Sequence, residues 1–190
     1  MKKIILLISL IFIIHANAIE EKNISSVMQE KIDLATTILL NDKGPLKQKA
    51  NKIFDELENV FDIKLMGRLS LGKYWKTLTS EQKDSFTKAF DIYMKESYVN
   101  NLGLYNGEKI QVTEVKKVKK NRIKLFSEIH GEKEIFKVIY KFYKSKSNGW
   151  LIYDVDVLGV SIVKTYKAQF NDAIANNSFE YLLNKIRKTP

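Results

Sequence analysis

The apolar residues of this chain change their period twice, and that change fixes the class of fold open to it. Up to about residue 102 they recur every three or four positions, between residues 110 and 157 every second position, and from about residue 161 at helical spacing again. A period near 3.6 lays a stripe along a helix, whereas a period of two puts alternate residues on one face of a strand. A chain that keeps its strands in one block and its helices in others builds an α+β domain rather than alternating βαβ units.

In the first helical half, residues 25–41 carry Val27, Met28, Ile32, Leu34, Ala35, Ile38 and Leu39, with Ser25 or Ser26 as cap. Gly44-Pro45 interrupts this pattern and starts a second helix along Leu46, Ala50, Ile53, Phe54, Leu57 and Val60. A short helix is expected over residues 62–69. Thr79-Ser80-Glu81-Gln82 reads as a capping box, in which the Thr79 hydroxyl accepts from the Gln82 amide and the Gln82 side chain reaches back. The helix it opens shows Phe86, Ala89, Phe90, Tyr93 and Met94 and runs to about Leu102.

Four strands follow, around Ile110–Val112, Ile123–Ile129, Ile135–Phe142 and Leu151–Val157, with turns at Lys120-Asn121, His130-Gly131 and Asn148-Gly149. Short links between four strands predict an antiparallel meander. In the third strand Val138, Tyr140 and Phe142 share one face, yet Ile135 and Ile139 make the other face apolar too. A sheet covered on one side normally alternates apolar with polar. The expected fold is therefore a curled, four-stranded antiparallel sheet, with helices before and after it enclosing an apolar cavity. Two-sided burial without a cavity would leave the same pattern. Gly159 lets the chain turn from the last strand to a helix capped by Ser161, and a last helix runs from about Ser178 to Ile186.

The N-terminus sets the compartment. Lys2 and Lys3 precede an apolar run from Ile4 to Ile14, broken only by Ser9, and Ala16-Asn17-Ala18 follows. A basic start, a short apolar run and a small-x-small site make a secretory signal peptide. The run is too short to span a bilayer, which takes about 20 residues. Residues 1–18 are expected to be removed after Ala18, leaving 19–190 as one exported domain. No further apolar segment is long enough to cross a membrane. The chain has no cysteine, so neither disulfides nor a lipid-bearing cysteine enter the argument. Its net charge is +10. On an exported protein such charge suits anionic lipid surfaces or acidic partners rather than nucleic acid.

Catalytic chemistry has little to stand on. Beyond the leader the only histidine is His130, in an expected turn, and no HExxH, GxSxG or phosphate-binding glycine loop is present. No metal site is expected. Asp154 and Asp156 share one strand face and either act as paired carboxylates or form a solvated face. Lys116, Lys117, Lys119, Lys120, Arg122 and Lys124 crowd one hairpin, which either touches anionic headgroups or an acidic partner, or guards the edge against aggregation.

Two segments carry a resemblance. The first runs Leu69-Ser-Leu-Gly-Lys-Tyr-Trp-Lys-Thr-Leu-Thr-Ser-Glu-Gln-Lys-Asp-Ser-Phe-Thr-Lys-Ala-Phe90, continuing to Ser97-Tyr98 and Tyr105-Asn106-Gly107-Glu108. The second runs Gly149-Trp-Leu-Ile-Tyr-Asp-Val-Asp-Val-Leu-Gly-Val-Ser-Ile-Val163 and then Tyr166-Lys-Ala-Gln-Phe170. Together they resemble the MlaC family, the periplasmic phospholipid-binding component of the Mla lipid-asymmetry pathway, also called the toluene-tolerance auxiliary family. The similarity extends from about Ile24 to Arg187. Lys76 and Lys167 stand where the family pattern has Arg, and Leu158 where it has Glu.

The resemblance implies a soluble phospholipid carrier that is not an enzyme. It would hold acyl tails inside and shuttle between an outer-membrane lipoprotein complex and an inner-membrane ABC transporter complex. Its ligand would be phospholipid, with no other cofactor, and its contacts with membranes would be transient. A pocket for two tails should lie at the large end of the usual range, about 1,000 Å³. Its expected lining is Leu71, Trp75 and Phe90 from the helices, and Val112, Phe136, Val138, Tyr140, Val155 and Val157 from the strands. Val160, Ile162, Val163 and Tyr166 complete it from the segment that follows. Two other classes remain open on the residues alone: an exported α+β-cone enzyme using Asp154 or Asp156, and a structural adaptor with a filled core.

Overall fold

The computed structural model describes residues 18–188. The expected signal peptide over residues 1–18 therefore lies outside the described residues, except for Ala18.

The helical half comprises α1 (Ile24–Asn41), α2 (Leu46–Leu57), α3 (Ile63–Leu71) and α4 (Ser80–Leu102), with 3-10 turns at Glu21–Asn23 and Gly72–Thr77. Asp62 caps α3 by accepting from the Leu65 amide at 2.8 Å. The capping box of α4 forms in both directions: the Gln82 amide donates to Thr79 Oγ1, and the Thr79 amide donates to Gln82 Oε1.

The sheet follows as β1 (Lys109–Lys119), β2 (Arg122–His130), β3 (Ile135–Lys144), β4 (Trp150–Val157) and β5 (Val160–Ser161), antiparallel and in sequence order. The expected meander has one strand more than the four anticipated. The two residues of β5 pair with the end of β4, Val157 opposite Val160 and Asp156 opposite Ser161. Two residues are too few to show a period, and the sequence shows only the turn at Gly159. The chain ends in α5 (Ile162–Asn176) and α6 (Phe179–Lys188). Ser161 caps α5 by accepting from the Lys164 amide.

Register shifts in β1 between Val112 and Glu114 and between Lys117 and Lys119, and in β4 at Tyr153, bend and coil the sheet. Both edges are managed. At β4, Trp150 N–H donates to the Ile19 carbonyl, Ile152 N–H donates to the Val60 carbonyl, and Asp62 N–H donates to the Ile152 carbonyl. At β1, the Gln29 side-chain amide acts as a short strand of its own: its Nε2 donates to the Ile110 carbonyl, and its Oε1 accepts from the Val112 amide. Beyond Val112, exposed lysines protect the edge.

Apolar burial falls into two cores. One is helical and aromatic, built on Met66, Phe86, Phe90, Tyr166, Phe170 and Leu182. The other lies under the sheet, where Ile24 and Met28 of α1 meet Ile123, Leu125, Val138, Phe142 and Ile152. Among the described residues, only Phe61 and Ile162 pack against both.

Candidate functional site

A cleft opens beside that seam. It is a groove of about 440 Å³ between the C-terminal half of α4, the β4–β5 turn and the first turns of α5. Tyr93, Ser97, Tyr98 and Asn101 of α4 form one wall, and Val157 and Val160 form the other. Ile162, Thr165, Tyr166 and Gln169 of α5 form its floor.

The floor is rigid for a definite reason. The Tyr166 ring stacks on Phe170 at 5.5 Å between centroids and meets Phe90 and Tyr93 edge-on at 5.6 and 5.7 Å. Edge-to-face and offset contacts at such spacings are the favoured aromatic geometries.

Electrostatically the groove is neutral, since no lining residue is a carboxylate, lysine or arginine. Burial, with the Tyr166 hydroxyl beside it, pushes the Tyr98 phenol up to about 12. Burial likewise raises Tyr166 above the usual tyrosine range. These phenols stay protonated at neutral pH, so they donate and accept hydrogen bonds but move no protons. An apolar channel with hydroxyls and amides at its rim matches the chemistry of an uncharged chain with a polar end. Among the described residues no cluster of histidine, aspartate and glutamate is placed to hold a metal ion.

The expected lining residues divide four ways. Val157, Val160, Ile162 and Tyr166 do line the groove. Leu71, Phe90 and Val163 are buried in the helical core, with Trp75 packed against it. Val138 and Val155 are buried in the core under the sheet, with Val112 and Tyr140 packed against it. Phe136 is exposed at the start of β3.

The groove is also less than half the volume of about 1,000 Å³ expected for two tails. The reason is packing: side chains aimed inwards from sheet and helices fill two cores instead of facing a common void. The register joins these regions, because Ser127, Val138 and Val157 lie side by side across β2, β3 and β4. From the groove at Val157, the next residue inwards along that row is Val138.

Tyr93, Ser97, Tyr98, Asn101, Thr165 and Gln169 were missed from the sequence. A signal existed, since 93, 97 and 101 share one face of a helix, as do 162, 165, 166 and 169. Nothing in the sequence said that these two faces meet.

Asp154 and Asp156 do something other than either sequence reading. Asp154 is buried and accepts from Lys141 Nζ and Ser161 Oγ on one oxygen, at 2.8 and 2.7 Å, and from the Val163 amide on the other, at 3.1 Å. Asp156 accepts from the same lysine. The expected solvated face is thus covered by β5 and the start of α5, which fold back over it. Burial pushes the Lys141 amine down, but its hydrogen bonds and charge pairing with the two aspartates outweigh that and hold it above the usual lysine range. This cluster ties α5 to the sheet and takes no part in the groove.

The MlaC protein family model matches residues 29–188. The intermembrane phospholipid transport system binding protein MlaC of Haemophilus influenzae is 23% identical over 188 residues, covering 94% of this chain and 87% of that protein. A phospholipid-binding protein from Ralstonia solanacearum, solved in complex with a phospholipid, superposes with a TM-score of 0.75 at 22% identity. That match covers 85% of this chain and 93% of the other, and it establishes the fold.

Proposed function

This chain belongs to the MlaC protein family, and from that premise we propose that it is a periplasmic phospholipid carrier. In this reading it is a binding protein rather than an enzyme, and residues 19–190 form its single phospholipid-binding domain. It shuttles lipid between an outer-membrane lipoprotein complex and an inner-membrane ABC transporter complex.

The observation that carries the proposal is the neutral, aromatic-floored groove set against the seam between the two cores. A two-tailed phospholipid has roughly 30 methylenes, each worth about 0.8 kcal/mol on leaving water. Exposing both tails would therefore cost on the order of 20 kcal/mol, which rules out rapid crossing of an aqueous space unaided. A carrier needs apolar shelter but no tight polar grip, because the bilayer shelters the tails equally well and exchange must stay near balance. We assign Val157, Val160, Ile162 and Tyr166 to the entrance. The tails reach further by parting the two cores at Phe61 and Ile162, along the Val157–Val138 row. The headgroup stays at the hydroxyl and amide rim.

A catalyst built on Asp154 or Asp156 gains no support, since both carboxylates are held by Lys141 on the far side of their strand from Val157. Native mass spectrometry of the protein purified without detergent tests the proposal. A stoichiometric phospholipid adduct is expected. A bare protein mass that persists after incubation with phospholipid vesicles would overturn it.

A further inference from the structure

At the end of the sheet opposite the groove, two turns collect a positive surface that the sequence shows only in part. The β1–β2 turn brings Lys116, Lys119, Lys120 and Lys124, and the β3–β4 turn adds Lys144 and Lys146. The two turns are tied together by the Lys144 amide, which donates to the Asn121 carbonyl. None of these six lysines pairs with a carboxylate among the described residues; only Lys117 does, with Glu21 at 2.7 Å.

The register sharpens the point. Lys116 sits directly opposite Lys124, and Lys119 directly opposite Arg122. Like charges facing each other across strands are destabilising. Two such pairs at one sheet end, with Glu114 the remaining carboxylate of β1, make a surface whose repulsion an anion would relieve.

We propose that this end of the sheet docks on anionic phospholipid bilayers. Three features favour a bilayer over an acidic protein. The cations are nearly all lysines, compact point charges that suit a diffuse layer of headgroups, whereas recognition of fixed carboxylates favours the arginine fork. Val118, 48% exposed, is set out of register by the β1 bulge between Lys117 and Lys119 and can enter the headgroup layer. The lysines are spread over two neighbouring turns rather than converging on one pocket. The groove lies at the other end of β4, about 25 Å away at roughly 3.3 Å per residue. Docking thus holds the carrier at the membrane while its mouth faces away, open to a partner. The inference rests on the carrier reading for its biological sense, but its test does not depend on bound lipid.

The experiment is vesicle co-sedimentation of the purified chain, with phosphatidylcholine vesicles containing or lacking phosphatidylglycerol, at low and high salt. Binding is expected only to the anionic vesicles and to fade as salt rises. The variant Lys119→Glu/Lys120→Glu/Lys144→Glu/Lys146→Glu should bind them at least about a thousandfold more weakly. Its circular dichroism and its phospholipid adduct in native mass spectrometry should be unchanged. Equal binding to neutral vesicles, no binding to anionic ones, or undiminished binding by the variant would each overturn the proposal. So would indifference to vesicles combined with patch-dependent retention on polyglutamate, which would point to an acidic protein instead. Loss of the lipid adduct with vesicle binding intact would instead count against the carrier reading.

Discussion

Leu158 occupies a position that suits almost any other short polar residue better. It and Gly159 form the two central positions of the β4–β5 turn with φ of 53° and 83°, flanked by the Val157–Val160 pair. Two positive φ values define a type I′ turn, which favours Asn-Gly, and a leucine there is strained. It is also 62% exposed, so packing does not offset the strain. Leu158→Asn is expected to stabilise the protein by about 0.5–1 kcal/mol, read as a raised midpoint in urea. Two phenols, one in the groove and one on β3, give a second residue-scale expectation. Tyr98 ionises near 12 because of burial, and Tyr143 also near 12 because of burial and its hydrogen bond to the Asp62 carboxylate. An unfolded phenol ionises near 10. The stability these groups contribute is therefore complete below about pH 10 and is lost as pH rises through 12. Ultraviolet titration should show these two tyrosines ionising well above pH 10, together with the onset of alkaline unfolding.

Among the elements, α1 and β4 show how local signals become tertiary ones. The helical stripe of α1 was legible, and so was its burial through Met28 and Ile32; the helix starts one residue earlier, at Ile24, which is buried as well. Gln29, on a polar position of the same helix, was not, because its role exists only once β1 lies beside it. Each of its two bonds to the β1 backbone is worth about 1 kcal/mol, so Gln29→Ala should cost about 1–2 kcal/mol. Amide exchange at Val112, whose N–H donates to Gln29 Oε1 at 2.8 Å, should quicken selectively. Gly149 was legible as a turn glycine, and its φ of 66° agrees. Its second constraint was not. A Cβ there would lie 2.6 Å from the Ile19 carbonyl oxygen, where the segment at Ile19 pairs along the edge of β4. Likewise Asp154 alternates in sequence as an outward residue, yet β5 and α5 return over it and make it a buried strut.

At the scale of the whole molecule, the decisive fact is that helices α3–α6 build one core and the sheet with α1 another, joined through Phe61 and Ile162. A groove of about 440 Å³ at that seam suits a carrier whose shelter widens as tails enter. Tying the α4 wall to the β4–β5 wall should therefore prevent loading. The chain has no cysteine, so Asn101→Cys with Val160→Cys gives a unique pair across the groove. Bridged by a short bis-maleimide, this variant should acquire no phospholipid from vesicles, while the unbridged variant acquires it normally. Equal loading by both would show that lipid enters elsewhere.

By itself the sequence determined what depends on neighbours along the chain. The two periods give the helices and the strands, Thr79 and Gln82 give a helix start, and the glycines at 149 and 159 give turns. The motifs around Trp75 and Tyr166 give the family. Tertiary structure decided everything that depends on which faces meet. It added β5, turned two aspartates inward, and sent most of the expected pocket residues into packed cores. It brought α4 and α5 together as groove walls and gathered lysines from two turns at the far end. Periodicity states that a face is apolar, but the same apolar face serves a core or a pocket. Only the distance to the facing side chains, set by the whole fold, distinguishes the two.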